Sequence, residues 1–212
     1  MDVDLRINDI ENIDDFINSG ANIISIGDEG CPYCLPRYDK IKFIFNELLN
    51  ANIRPRLVTS RVAENEFRLI EEIIRNISDF SDNIDIVIND YGVLQLCRKL
   101  NINARFILGR LLSRSIIDCP WYTILLREEI DEIKEGIIGH GFAHTAKLDL
   151  MHQLNIKGIE INALCGISSS IQKISKNNIM TNIHVSSKLL TVGRNCITAR
   201  YFNLLPNKCS NK

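Results

Sequence analysis

The chain has 212 residues, 45% of them hydrophobic and 24% charged, with a formal net charge of -1 and a sequence pI near 6.4. This composition is that of an ordinary soluble globular protein, and its balanced charge gives no push toward nucleic acid or an anionic membrane. No apolar run approaches the roughly 18 residues of a membrane span, and the acidic start "MDVDLRINDIEN" has no basic, apolar leader, so the expected location is the cytoplasm.

In chain order, "VDLRI" (3–7) predicts a short strand, followed by a helix with Ile10, Ile13, Phe16 and Ile17 on one face. "NIISIG" (22–27) is a strand. Ile41, Ile44, Phe45, Leu48 and Leu49 give residues 38–50 the i, i+3, i+4, i+7 stripe of an amphipathic helix. "RPRLVTS" is the next strand, with Pro55 near its start, where a missing N–H is tolerated. A second stripe follows at Phe67, Ile70, Ile73, Ile74 and Ile77. Then come "NIDIVIND" as strand, "YGVLQLCRKL" as helix and "NARFILG" as strand. After an irregular stretch around Asp118-Cys119-Pro120-Trp121, "HTAKLDLMHQL" predicts a helix, "IKGIEIN" a strand, "GISSSIQKIS" a helix, and "IMTNIHV" and "KLLTV" strands.

Strand and helix alternate roughly every 25–35 residues, the pattern of a parallel sheet with crossover helices. No Gly/Ser linker or charge block divides the chain, which reads as one domain over 1–212. About seven strands predict an α/β fold of the TIM-like (β/α) barrel type, shortened or incomplete, with an open doubly wound sheet as the rival. Neither G-x-G-x-x-G nor G-x-x-x-x-G-K-[ST] follows any strand, so nucleotide chemistry of those kinds is not indicated.

Function in such a barrel sits at the C-terminal ends of the strands. The segments that follow the predicted strands are Asp28 to Cys34, Ser60-Arg61, Asn89-Asp90, Gly109-Arg110, Asn162 to Cys165, and Gly193 to Cys196, and three of them carry cysteine. Seven cysteines in all (31, 34, 97, 119, 165, 196 and 209), an odd number without an export signal, point to metal or redox use rather than a disulfide framework. Cys31-Pro32-Tyr33-Cys34 has the letters of a glutaredoxin dithiol. That chemistry needs its first thiol at a helix N-terminus and a Thr-Val-Pro segment facing it, and the chain has no such tripeptide. A metal site is the stronger reading. Four thiolates converging on one point would hold a 4Fe–4S cluster or a structural zinc; the spacing does not separate the two. Cys165 is the spare ligand, and Cys97, on a helical stripe, is expected to be packing.

Among other candidates, Asp90 ends a strand and could simply cap the helix at Tyr91. Arg110 ends the next strand and could hold an anion or join a salt bridge. Glu160 alternates with Ile159 and Ile161, so it could point into the barrel; an inward carboxylate is costly unless paired, which makes it a site candidate. His184 lies in "NIHV" and could meet a substrate or be a core histidine. His140 and His144 are four apart, but glycines flank the first and H-E-x-x-H is absent, so structural roles are expected. No Ser-His-Asp or Cys-His set can be assembled.

Several stretches in order resemble the peptidase U-32 (collagenase-like) superfamily: "FINSGANIISIG" (16–27), "NDYGVLQLC" (89–97), "FILGRLL" (106–112) and "GRNCITAR" (193–200). The chain is most similar to the small iron–sulfur, UbiV-type members of that family. The resemblance implies that Cys31, Cys196 and Cys209 are cluster ligands. The family's fourth cysteine would fall a few residues past Cys209, and the chain ends at Lys212, so Cys34 is expected to take its place. It also implies a subunit of an oxygen-independent hydroxylation step, paired with a second family member. A peptidase-like hydrolase and a non-catalytic zinc-binding or assembly subunit are the alternatives.

Overall fold

The turns that end the helices set up the fold. In the computed structural model, which describes residues 2–7, 12–113, 124, 140–163, 167–187 and 201, four helix ends are closed by an asparagine with positive φ: Asn52 (58°), Asn101 (55°), Asn155 (51°) and Asn178 (57°). Asparagine tolerates this left-handed conformation better than other residues with a side chain. Each is followed by an isoleucine that is at most 7% exposed (Ile53, Ile102, Ile156, Ile179). The Ile53 N–H returns to Leu48 O at 2.8 Å and that of Ile102 to Cys97 O at 2.9 Å. These long closures satisfy carbonyls of the last helical turn and point the chain back into the next strand.

The contacts fall into two compact units, Met1–Arg105 with Val192–Lys212, and Phe106–Thr191. The first contains β1 (Asp4–Ile7), α1 (Ile13–Ile17), β2 (Ile23–Gly27), α2 (Tyr38–Asn50), β3 (Arg54–Val58), α3 (Phe67–Asn76), β4 (Asp85–Ile88) and α4 (Tyr91–Lys99). β1, β2, β3 and β4 pair successively and in parallel. The second unit starts inside β5 (Arg105–Leu108), whose first residue counts with the first unit, and continues with α5 (Thr145–Gln153), β6 (Ile156–Asn162), α6 (Ser168–Lys176) and β7 (Met180–His184). Here β5 pairs with β6 and β6 with β7, again in parallel. Strand order is chain order, with helix between successive strands. This is α/β winding of the TIM-like kind in shortened form, as the periodicity predicts. The predicted strand "KLLTV" and the stretch around Asp118 to Trp121 lie outside the described residues.

The helical stripes are buried as their spacing requires: Ile41, Ile44, Phe45 and Leu48 on α2, Ile70, Ile73 and Ile74 on α3, and Val93, Leu94, Leu96 and Cys97 on α4. Each such aliphatic or aromatic side chain contributes roughly 1.5–3 kcal/mol when fully buried. On the strands the period is two. Ile24, Ile26, Leu57, Ile86 and Ile88 occupy one sheet face and are fully buried.

The opposite face of the first unit is polar near the strand beginnings. Register places Arg6, Ser25, Arg56 and Asp85 in one row across β1 to β4. Arg56 and Asp85 have no exposure. Asp85 accepts from Arg56 Nε and Nη2 at 3.2 and 2.9 Å, and from Arg105 Nε and Nη2, both at 2.8 Å. Arg56 Nη1 also meets Asp4 Oδ2 at 2.5 Å, and Ser25 Oγ donates to Asp4 Oδ1 at 2.7 Å. Burial alone would raise the Asp85 carboxyl, but the Arg105 and Arg56 guanidiniums outweigh it and hold it below the usual carboxylate range. Asp4, Asp85 and Arg105 are each the first residue of a strand, so the cluster ties together strand starts and leaves the opposite ends to function.

Candidate functional site

The cysteine loop leaves β2 through Gly27, whose φ is +119° and whose missing Cβ would collide with Val58 O and the Leu35 side chain. Only glycine fits there. Asp28 then organises the turn: its Oδ1 accepts from Gly30 N at 2.7 Å and Cys31 N at 2.8 Å. Cys31 is extended and leads into a single 3-10 turn, Pro32–Cys34, closed by Cys34 N donating to Cys31 O at 3.2 Å. Both thiols are half-buried. α2 starts only at Tyr38, so Cys31 lies seven positions ahead of the helix rather than at its N-terminus. The dipole that activates a redox dithiol is absent at Cys31. The Tyr33 phenol, between the cysteines, is raised above its usual range by burial, by the Glu66 carboxylate and by Cys31.

Within this loop Glu29 Oε1 accepts from Arg6 Nη1 of β1 at 2.9 Å, and just past β3 lies Ser60, whose buried hydroxyl has no hydrogen-bond partner among the described residues. Asn89 Nδ2 donates to Thr59 O at 2.8 Å. Asp90 caps α4 through Gly92 N at 2.7 Å and also accepts from Val62 N at 3.4 Å, so its geometry is that of a helix cap.

The second unit gathers the other candidates at the ends of its strands. Glu160 and Asn162 on β6 share a face with Asn182 and His184 on β7, Glu160 in register with Asn182 and Asn162 with His184. Glu160 is fully buried, and its Oε2 lies 3.3 Å from His184 Nε2, an ion-pair distance. The Arg110 Nη1 donates to Asn162 Oδ1 and Ser187 O, both at 3.0 Å. Ser113 Oγ donates to Glu160 O, which pins the turn after β5 to β6.

His140 is structural. Its Nε2 lies 2.7 Å from Ser113 O, so it donates, and Nδ1 accepts from Phe142 N at 3.2 Å. Those partners fix the neutral Nε2–H tautomer. Burial, with the nearby Lys147 charge adding to it, lowers its pKa. His144 precedes α5 as its N-terminal flanking residue. Cys97 is fully buried and pushed up to about 12 by desolvation, an inert packing thiol as its stripe predicts.

Cys165, Cys196 and Cys209 lie outside the described residues. Among the described residues no group of three or more His, Cys, Asp or Glu side chains converges as a metal site, and no helix is long and apolar enough to cross a membrane. Two participants escaped the sequence reading: Asn162 was noted only as the start of a loop segment, and Asn182 not at all. The signal was the period of two in "IEIN" and "TNIH", which puts Glu160, Asn162, Asn182 and His184 on one side.

No family model matches the chain, and no curated protein does. Among solved structures, a type I 3-dehydroquinate dehydratase from Clostridium difficile, with a covalently modified comenic acid, is similar over 86% of this chain and 73% of its own, at 8% identity and a TM-score of 0.47. A Plasmodium falciparum HPPK-DHPS triple mutant with pteroate is similar over 86% of this chain and 45% of its own, at 12% identity and a TM-score of 0.37.

Proposed function

We propose that the chain is an iron–sulfur protein of the U-32 kind, in which Cys31 and Cys34 supply two thiolates and Cys196 and Cys209 the other two of a 4Fe–4S cluster. The observation that carries this reading is the cysteine loop: two half-buried thiols on one tight turn at the C-terminal end of β2, held by Asp28. That donor set fits half of a cluster. It lacks the helix N-terminus that thiol exchange would use, and both cysteines are half-buried rather than sealed in the core.

When bound, the cluster would pass electrons or help move an oxygen atom from a donor other than dioxygen. The chain's own residues present the thiolates, and Asp28 keeps the Gly30 and Cys31 N–H groups occupied so that the loop holds its turn. The proposed setting is a subunit of an oxygen-independent hydroxylation step in the cytoplasm, working beside a second protein of the same family. Anaerobic iron and sulfide analysis of wild type beside Cys34→Ala and Cys196→Ala tests the reading. Four irons and four sulfides per chain, lost in both variants, support it. A colourless, iron-free protein after anaerobic purification refutes it, and stoichiometric zinc shifts the same thiolates to a structural role.

A further inference from the structure

The turn that carries Cys31 and Cys34 is held by the chain's own bonds. Pro32 is the first residue of the 3-10 turn and is buried, and its ring presets the φ that this position needs. Asp28 Oδ1 accepts from Gly30 N and Cys31 N at 2.7 and 2.8 Å. Arg61 N, from beyond β3, donates to Glu29 O at 3.2 Å, and the Glu29 carboxylate pairs with Arg6. Cys34 N donates to Cys31 O at 3.2 Å and closes the turn. A four-residue turn closed in this way keeps its end Cα atoms within about 7 Å, and disulfides bridge Cα separations of about 4.4–6.8 Å. Both cysteines are half-buried, whereas Cys97 has no exposure.

We propose that Cys31 and Cys34 close into a disulfide when the cluster is absent and the surroundings are oxidising, which makes the turn a redox-sensitive switch on cluster loading. This rests on the reading that both thiolates hold the cluster. With oxidised glutathione as the oxidant, one cysteine thiolate attacks a glutathione sulfur, a mixed disulfide forms and a glutathione thiolate leaves. The other cysteine thiolate then attacks the protein sulfur of that mixed disulfide, and the second glutathione leaves. Two cysteine thiols are oxidised, one glutathione disulfide is reduced to two thiols, and the two cysteine protons pass to those thiols. Sulfurs joined to each other are no longer thiolates, so the closed turn withholds two of the cluster's donors until a thiol reductant reopens it. Cys31 lies seven positions ahead of α2 and lacks a helix N-terminus to activate it, which suits a switch rather than a catalyst of exchange.

The test takes the full chain, freed of metal with a chelator and fully reduced, and incubates it with oxidised glutathione. Iodoacetamide quenches the reaction, and mass spectrometry maps the cysteines. The peptide spanning Cys31 and Cys34 is expected unalkylated and lighter by the two lost thiol hydrogens. It should exceed either glutathione adduct about tenfold or more, because a thiol on the same turn acts at a high effective concentration. Dithiothreitol is expected to restore both alkylatable thiols. Cys34→Ser should stop at the glutathione adduct on Cys31; Cys31→Ser, stopping at the adduct on Cys34, replaces it if its circular dichroism spectrum departs from that of wild type. Persistent glutathione adducts on both cysteines, a bridge from either to another cysteine, or alkylation of both after oxidation overturns the proposal. The readout involves neither iron nor sulfide, so a failed closure leaves the cluster reading standing, and an iron-free protein leaves the closure result intact.

Discussion

Replacing Asp85 with asparagine keeps the side chain's shape and removes its charge, which isolates what the buried cluster contributes. Asp85 is the shared acceptor of Arg56 and Arg105 at 2.8–3.2 Å, with Arg54 Nη1 a further 3.4 Å contact. Arg56 has no exposure, so the variant leaves a guanidinium in the interior short of one partner. Breaking a buried pair from one side costs about 3–5 kcal/mol. Arg56 keeps Asp4 at 2.5 Å, and Asp4 is partly exposed, which places the expected loss for Asp85→Asn near the lower end, about 3 kcal/mol. For a chain of this length that lowers Tm by roughly 6–12 °C. Urea unfolding followed by circular dichroism measures it. The pH dependence gives a second check. The folded carboxyl lies below its unfolded value, so its contribution is complete above about pH 4 and disappears as pH falls through the lowered folded value. The gap between wild type and variant therefore narrows in acid. A loss below about 1 kcal/mol at pH 7, the size of an exposed pair, or a gap that widens in acid, would refute the reasoning.

Gly27→Ala should cost about 2 kcal/mol or more, because φ of +119° strains any side chain and the new Cβ meets Val58 O; thermal unfolding reads the loss, and a neutral result means the β2 exit is not held as described. His140 should titrate below an ordinary imidazole by 15N NMR, with Nε2–H as its neutral tautomer. Its folded pKa lies below the unfolded one, so its contribution is full above about pH 6.5 and is lost as pH falls through the folded value; a midpoint at or above that of an unperturbed imidazole contradicts this. Alkylation of the cluster-free native protein with iodoacetamide, mapped by mass spectrometry, should modify Cys31 while sparing Cys97, which is unexposed and pushed up to about 12; labelling of Cys97 at a comparable rate would show that α4 opens readily.

Much of the architecture could be read from local chemistry. The stripe Ile41, Ile44, Phe45, Leu48 names a helix face because side chains three and four apart share one side, and "NIISIG" names a strand because β-branched residues suit the pleat. The sequence also contained a device that passed unnoticed: an asparagine followed by isoleucine after four helices, at Asn52, Asn101, Asn155 and Asn178. The Asp90 cap and the inert Cys97 were visible for the same reason, since each depends on residues within its own turn or stripe.

Pairings between distant segments were not visible. Arg56 sits in "RPRLVTS" like any strand-edge charge, and only the register of β3 against β4 puts it beside Asp85, 29 positions away. Glu160 was suspect as an inward carboxylate, but its partner His184 became known only when β7 paired with β6. So the sequence by itself determined the winding of strands and helices and the turn that carries Cys31 and Cys34, because those depend on neighbours a few bonds apart. Tertiary structure decided which charges are buried together and which polar groups meet at the strand ends, because register between parallel strands is set by packing across crossovers that no local pattern encodes.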